Sequence, residues 1–209
     1  MSNAPVFVLN SSGACYFDNG RSPVRRLHHS RLPQLNLLLL SSWLLPVVCI
    51  IVLARCPGWW CLCCSPFVGG NWKLNGSFAS IAELAAAFNE GEPTAVEVVI
   101  FPTMIAVDRT RSLLKNMAVG AQDVSVQKGF GAMTGEISPQ LLVEAGIEYT
   151  LTGHSERRHK VAHETSELIA QKTFNAIEAG LTVILCIGEQ LADRDANTTM
   201  DVLKEQMVC

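Results

Sequence analysis

Five short apolar segments alternate with helical patterns over the second two-thirds of this 209-residue chain. Their side chains are apolar on both faces, which is typical of parallel strands in a sheet that helices cover on both sides. The segments are Phe67–Trp72, Val96–Phe101, Met117–Gln122, Tyr149–Gly153 and Leu181–Ile187. Repeated strand–helix units predict an α/β fold. An open doubly wound sheet and an eight-stranded (βα)8 barrel both begin in this way.

The helical patterns between these strands have recognisable ends. Ser80-Ile-Ala-Glu83 has the spacing of a capping box. Ser138-Pro139 places an N-cap residue before a proline at the first helical position. A third helix is predicted from about Thr165 to Ala179, with Gly180 as its stop, and a last one begins near Thr198. The strands are therefore joined by helices, as parallel pairing requires.

The beginning of the chain has a different composition. Residues 1–66 contain five Arg, no Lys and one Asp, a net charge of +4, whereas residues 67–209 carry −7. Residues 32–54 form an uncharged run of 23 residues. We therefore expect two parts, an N-terminal extension over residues 1–65 that contains the hydrophobic run 32–54, and an α/β part over residues 66–209.

Three interpretations of the extension stay open. A run of this length can span a bilayer as a helix, and the arginines before it suit a membrane anchor or a targeting leader. The segment is equally consistent with a piece of sequence foreign to the fold. The cysteines between Cys56 and Cys64 suit a palmitoylation patch better than zinc, because they form one irregular cluster with no histidine nearby.

Charge and glycine spacing argue against two classes of partner. A total net charge of −3 gives no electrostatic basis for binding nucleic acid. The glycine-rich stretch Gly129–Gly135 has neither the spacing of a dinucleotide-binding loop nor that of a P-loop. We therefore predict no nucleic-acid partner and no nucleotide cofactor.

Polar residues follow directly after four of the five predicted strands. They are Asn71 and Lys73 after the first strand, Gln122 and Asp123 after the third, His154, Ser155, Glu156, Arg157 and Arg158 after the fourth, and Glu189 after the fifth. In a parallel α/β barrel, the loops at the carboxyl ends of the strands build the active site. Five consecutive polar residues would also be costly to bury without partners. The sequence therefore predicts the functional site at this end.

Some of these residues also match parts of other kinds of site. His154-Ser-Glu156 matches the H-x-E of zinc deaminases, but the P-C-x-x-C that such enzymes need is absent. His159 and His163 are spaced as metal ligands on a helix, yet no third ligand accompanies them, so no metal site is predicted. Cys186 suits a buried small residue. The charged residues after His154 are also compatible with a structural ion-pair network.

Several motifs resemble the triosephosphate isomerase family. They are Phe67-Val-Gly-Gly-Asn-Trp-Lys-Leu-Asn-Gly76, Gly120-Ala-Gln-Asp123, Thr134-Gly-Glu-Ile-Ser-Pro139, Gly153-His-Ser-Glu-Arg-Arg158 and Cys186-Ile-Gly-Glu189. They occur in the family's order and spacing, and the resemblance covers about residues 66–207. It implies a partial (βα)8 barrel of about five βα units, preceded by a non-barrel hydrophobic segment.

The resemblance also implies a reaction and the residues that serve it. Dihydroxyacetone phosphate and glyceraldehyde 3-phosphate would be interconverted by proton transfer through an enediolate, in glycolysis and gluconeogenesis, without metal or cofactor. His154 would be the neutral electrophile, and Lys73 would supply positive charge. Asn71 would position the substrate and Glu156 would hold Lys73. Thr134 would lie on the loop that reaches a partner subunit of a cytoplasmic homodimer.

Departures from the family pattern qualify this expectation. Leu74 replaces a methionine, Asp123 replaces an asparagine, and the stretch His159–His163 is one residue longer. The given sequence stops at Cys209, within the fifth unit. By the resemblance, we expect these 209 residues to lack the general-base Glu that follows a sixth strand and the phosphate-binding loops.

We therefore expect these 209 residues alone to be inactive, and the five strands to form an open half-barrel with both edges unpaired. Two alternatives to an isomerase function remain. One is an inactive fragment or pseudoenzyme. The other is a membrane-anchored or organelle-targeted isoform in which residues 1–65 are functional.

Overall fold

The architecture comes from a computed structural model, which describes three strands within residues 1–65 and, beyond them, residues 66–91 and 96–208. The strands are β1 (Val6–Leu9), β2 (Cys15–Asp18), β3 (Cys49–Ala54), β4 (Pro66–Asn71), β5 (Glu97–Phe101), β6 (Ala118–Ala121), β7 (Tyr149–Thr152) and β8 (Thr182–Cys186). The helices are α1 (Phe78–Asn89), α2 (Val107–Leu113), α3 (Pro139–Glu144), α4 (Ser166–Ala179), α5 (Leu191–Asp195) and α6 (Thr199–Val208). A 3-10 turn covers Met104–Ala106 and a π-helical turn covers Arg157–Val161.

Five parallel strands, β4 to β8, form a curled half-barrel with helices between successive strands. Neighbouring strands are consecutive along the chain, so each crossover adds the next strand beside the last. The predicted strand segments match the observed ones to within two residues at each end. The prediction of a partial (βα)8 barrel is thus confirmed.

Both edges of the half-barrel are paired, so the expectation of unpaired edges was wrong. β3 pairs antiparallel with β4, from Cys49 opposite Asn71 to Ala54 opposite Pro66. β1 pairs in parallel with β8, and β2 pairs antiparallel with β1. Backbone groups at a bare edge favour pairing with any available strand, and here the N-terminal extension supplies the partners.

The end of the hydrophobic run is therefore a strand, so the interpretation of the run as a membrane-spanning helix does not hold for residues 49–54. Residues 32–48 and the cysteines from Cys56 to Cys64 lie outside the described residues. In the part of the chain that the structure describes, no helix has the length and apolar character needed to cross a bilayer.

The concave face of the sheet is packed with large side chains around one small position. Buried residues on this face are Phe67, Val99, Phe101, Tyr149, Leu151 and Ile184. A Cβ atom at Gly120 would lie 2.9 Å from the Cβ of Tyr149 and closer still to the ring of Phe101. The missing side chain on β6 therefore lets its two neighbouring strands fold their aromatic rings inward, which supports the curl of the sheet.

The convex face packs against the helices. Ile100, Val119 and Val183 alternate with the inward-facing residues of their strands and meet Ile81 of α1 and Ala176 of α4 in a second core. This alternation is the period-2 pattern of strands that are buried on both sides. The two cores fix the strands, and hence the loops that follow them.

Three of the predicted helix ends are confirmed and one is displaced. Ser138 and Thr165 cap α3 and α4 by accepting from backbone N–H groups, and Gly180 ends α4 with a φ of 100°. The cap of α1 is Ser77 rather than Ser80, whose own N–H donates to the Ser77 hydroxyl at 3.2 Å. The turn at Gly76, with a φ of 108°, precedes Ser77, and the helix begins three residues early.

We predict that Gly120→Ala destabilises the fold by about 1–3 kcal/mol, because the added methyl must displace an aromatic ring or a strand. Urea unfolding measures the change. Gly131→Ala is the matched control, since a Cβ there has no neighbour within 4 Å. Equal stability of the two variants would contradict the proposed role of Gly120 in the concave core.

Candidate functional site

The loop after β4 holds Lys73 in a fixed and unusual conformation. Lys73 has a φ of 53°, a left-handed conformation that costs a lysine free energy. Its N–H donates to the Asn71 Oδ1 atom at 2.9 Å. The side-chain amide of Gln122 donates to the carbonyls of Lys73 and Phe101, at 2.8 and 2.9 Å. Together these hydrogen bonds hold the backbone of Lys73 in its strained conformation, which persists only when the surrounding structure stabilises it.

The turn after β7 presents His154. The preceding Gly153 has a φ of 69°, and a Cβ atom there would lie 2.9 Å from both the Cys186 carbonyl oxygen and the Ile169 side chain. The His154 carbonyl accepts from the N–H groups of Arg157 and Arg158, at 2.8 and 3.0 Å. This tight turn needs glycine before the histidine, which explains the Gly153-His154 pair seen in the sequence.

A backbone hydrogen bond sets the tautomer of His154. The N–H of Glu156 donates to the Nδ1 atom of His154 at 3.2 Å. An Nδ1 atom that accepts a hydrogen bond carries no proton, so the neutral ring holds its proton on Nε2. His154 is thus arranged to donate a hydrogen bond from Nε2.

The two loops meet through an ion pair. Lys73 Nζ lies 3.1 Å from Glu156 Oε1, and the other carboxylate oxygen of Glu156 lies 3.5 Å from His154 Nδ1. The structure thereby brings together four of the predicted site residues, Asn71, Lys73, His154 and Glu156. Thr134 is placed elsewhere, exposed in the long loop between β6 and α3.

Burial and neighbouring charges shift two pKa values in this cluster. The pKa of His154 lies below its ordinary 6.5, chiefly because burial disfavours the imidazolium. The Glu156 carboxylate opposes this shift in the pKa, and the charges of Lys73 and Lys160 add to it. Burial alone would raise the pKa of Glu156, but its hydrogen bond to Lys73 and the positive charges around it lower that pKa overall. At neutral pH the cluster therefore combines a neutral imidazole with a lysine–carboxylate ion pair.

Arg158 anchors the His154 turn from inside the protein. Its guanidinium donates to the carbonyls of Gly153 and Cys186, at 2.8 and 3.3 Å, and to the Ser166 hydroxyl at 3.1 Å. The side chain is buried, and it joins the end of β7 to β8 and α4. These contacts give Arg158 a structural role in holding the turn.

A π-helical turn covers Arg157–Val161, where the sequence was expected to be one residue longer than the family pattern. A π-helical turn is a way to hold an added residue, because its i→i+5 bond encloses one more residue than an α-helical turn. His163, just after this turn, takes a left-handed φ of 50°. His159 and His163 are both exposed, and the described residues contain no group of three or more ligating side chains that could hold a metal ion.

Glu164 and Lys172 were not among the predicted site residues. They form a charge cluster with Asp123 and Arg157 behind the site. The sequence does contain a signal that Lys172 is buried. It follows Ile169 by three residues and precedes Ala176 by four, so helical periodicity places it on the buried face of α4. A charged residue at a buried helical position needs partners.

A curled sheet of parallel strands, helices on its convex face and polar side chains at the carboxyl ends of its strands define the class of (βα)-barrel proteins. The triosephosphate isomerase family model matches residues 66–208. The chain therefore belongs to the triosephosphate isomerase family.

Three relatives show how far the similarity extends. This chain is 44% identical over 145 residues to the triosephosphate isomerase of Pseudomonas entomophila. It is 46% identical over 144 residues to that of Debaryomyces hansenii and 47% over 143 residues to that of Emericella nidulans. Each match covers 68% of this chain and 57% of the relative. The chain thus spans a little over half the length of these curated relatives.

We predict that the pKa of His154 is lower in the folded chain than in the urea-unfolded chain. NMR of the imidazole nitrogens measures both its pKa and its tautomer. Because the folded pKa lies below the unfolded value, protonation favours unfolding, and this residue reduces stability as pH falls below about 6.5. His154→Gln should therefore lose less stability than the native chain between pH 7.5 and 5.5. A raised pKa, or a proton on Nδ1, would contradict the geometry.

Proposed function

We propose that this chain carries the electrophilic half of a triosephosphate isomerase site. The reaction interconverts dihydroxyacetone phosphate and glyceraldehyde 3-phosphate through an enediolate. The observation that supports this proposal most directly is the geometry of His154, whose neutral ring holds its proton on Nε2 and lies beside the Lys73–Glu156 ion pair. Together they provide a hydrogen-bond donor and a positive charge where a carbonyl oxygen would become negative.

The four clustered residues have distinct proposed roles. His154 donates its Nε2 proton to the substrate oxygens and polarises the carbonyl. Lys73 neutralises phosphate and the developing enediolate. Asn71 accepts from the Lys73 N–H with its Oδ1 atom, which leaves its NH2 group to orient the substrate. Glu156 holds the Lys73 ammonium in place.

Proton abstraction needs a carboxylate that is not already engaged. Glu156 does not suit this role, because Lys73 neutralises it and keeps its pKa low. We propose that the base belongs to a part of the barrel beyond the five units described here, in keeping with the greater length of the relatives. The 209 residues alone are then expected to bind a triose phosphate weakly and to turn it over poorly.

An enzyme-coupled isomerase assay with the purified 209-residue chain tests the expectation of poor turnover. We expect activity at least about 10²–10⁴-fold below that of a complete relative, the typical contribution of a general base. NMR titration with dihydroxyacetone phosphate tests the expectation of weak binding. Shifts at His154 should be lost in Lys73→Gln and kept in the control Lys204→Gln, whose lysine is exposed on α6.

Two results would contradict the proposal. Turnover close to that of a complete relative would show that a residue of this chain already acts as the base. Binding that is unaffected by Lys73→Gln, or that moves resonances away from the cluster, would place the phosphate elsewhere.

We further propose that the chain forms a cytoplasmic homodimer through the loops at the carboxyl ends of the strands. Phe130 and Met133 are 76% and 51% exposed on the loop that also carries Thr134. Leu74 and Ile105, which follow β4 and β5, are 94% and 83% exposed. Large apolar side chains left in water on one end of a protein favour association. The loop bearing Thr134 is the proposed arm that reaches the partner.

We predict that Met133→Lys weakens self-association at least about tenfold, since a charge would enter an apolar contact. Sedimentation velocity measures the change. Met200→Lys is the matched control, because Met200 is 48% exposed on α6, away from that loop. Equal effects of the two substitutions, or a native chain that is monomeric at all concentrations, would contradict the proposed interface.

A further inference from the structure

The N-terminal extension occupies both edges of the half-barrel, and its strands do so in two different directions. β1 runs parallel to β8, with Val6 opposite Val183 and Leu9 opposite Cys186. β3 runs antiparallel to β4 and pairs with it along its whole length. The proposed isomerase site uses neither strand. We call β1, its outer neighbour β2, and β3 the cap strands.

The direction of β3 is incompatible with a closed barrel. A (βα)8 barrel consists of parallel strands, and it closes when the first of them pairs with the last. β4 precedes the other strands of the half-barrel in the chain, so it must accept a parallel partner on the side away from β5. The antiparallel β3 holds that side, from Pro66 to Asn71. While β3 stays paired, the barrel cannot close.

On the other edge, β1 has the direction of a further barrel strand without its chemistry. The family resemblance implies that the general-base Glu follows a sixth strand, and β1 lies beside β8, where such a strand would pair. Residues 10–12, which follow β1, are Asn-Ser-Ser and carry no carboxylate. Asp18 of β2 is opposite Val6, at the end of β1 remote from its last residue. β1 thus takes the position of a catalytic strand and supplies no base there.

The cap strands compete for these edges from within the same chain. Only residues 55–65 separate β3 from β4. A short link holds a segment near its site at an effective concentration on the order of millimolar. A second molecule that needs the same edge therefore binds with an apparent affinity that is reduced to the fraction of chains whose cap strands are detached.

We propose that the cap strands are an exchangeable cover, and that the partner they exclude is a set of parallel βα units able to complete the barrel. The partner pairs its first strand with β8 and its last strand with β4, after β1 and β3 have left. The proposal rests on the proposed function, since such a partner brings the base. The exchange of strands is nevertheless a binding event, which is measured without turnover.

The probe is a labelled fragment of the Pseudomonas entomophila relative, made of the residues that follow its matched region. Fluorescence anisotropy measures its binding to the full 209-residue chain. Because the cap strands lower the apparent affinity, any change that holds them in place should weaken binding, and any change that loosens them should strengthen it.

A reversible crosslink holds one cap strand in place. Val52 and Val68 are directly opposite each other in β3 and β4. The Cα atoms of such residues are about 4.5–5.5 Å apart, which a disulfide can span. We expect the oxidised double variant Val52→Cys with Val68→Cys to bind the fragment at least about tenfold more weakly than the same chain after reduction. The single variant Val68→Cys, treated with the same oxidant, is the matched control for bonds formed by native cysteines, and its affinity should not change.

A second variant loosens the other edge. β1 pairs with β2 on one side and with β8 on the other, so the N–H of Val8 points toward one of these strands. Val8→Pro removes this donor, and we expect it to tighten fragment binding about threefold or more, the equivalent of one lost hydrogen bond. Val8→Ala keeps the N–H and is the matched control, which should tighten binding less.

Equal binding by the oxidised and reduced double variant would overturn the proposal, because the fragment would then not need the edge that β3 covers. A fragment that binds none of the reduced chains, Val8→Pro included, would also overturn it, because the partner would not fit the half-barrel. If the fragment exchanges with the cap strands as expected and the complex has no isomerase activity, the exchange stands and the proposed function fails.

Discussion

The ion pair between Lys73 and Glu156 depends on the curvature of the sheet. These residues follow β4 and β7, which are separated by two other strands. At about 4.8 Å per strand, the two strand ends would be about 14 Å apart in a flat sheet. Their charged atoms are nevertheless 3.1 Å apart, because the sheet curls and both side chains reach across its end.

The curl is made possible by packing far from the charges. Gly120 leaves room on the concave face for the ring of Phe101 and for Tyr149, which lie on the two adjacent strands. Gln122, directly after the same strand and two residues beyond Gly120, ties the ends of β4 and β5 together through the carbonyls of Lys73 and Phe101. Core packing and site geometry therefore both depend on the short segment from Gly120 to Gln122.

The elements that the sequence predicted are those whose signal is local. The five strands were visible because each is a short apolar run between helical patterns, and the caps at Ser138 and Thr165 were visible as residue types. Helix α2 was missed because it is only seven residues long and its N-cap, Ala106, makes no side-chain cap. Helix α5 contains no buried residue, so it has no apolar face to detect. The pairing of β1 with β8 joins residues far apart in the chain, which no local pattern reports. The strand β3 was missed because it lies at the end of the long apolar run, whose length was interpreted as compatible with a helix.

The same division applies to the site. Parallel strands bring their carboxyl ends together, so the sequence could place Asn71, Lys73, His154 and Glu156 at one end. It could not supply the bond from the Glu156 N–H to His154 Nδ1, because that bond arises from the turn after Gly153. This bond decides the tautomer, and the tautomer decides whether the ring can donate to a substrate oxygen.

The residues of the proposed electrophilic half all follow strands inside the sheet. β4 and β7 each pair with a strand on both sides, so neither is an edge of the described sheet. Their backbone groups are paired with these neighbours, and the loops that follow them are held by Gln122 and Arg158. In the proposed function, carbonyl polarisation therefore depends on contacts among the described strands and loops. The tautomer of His154 follows from the same contacts, because it is set by the turn that holds the ring.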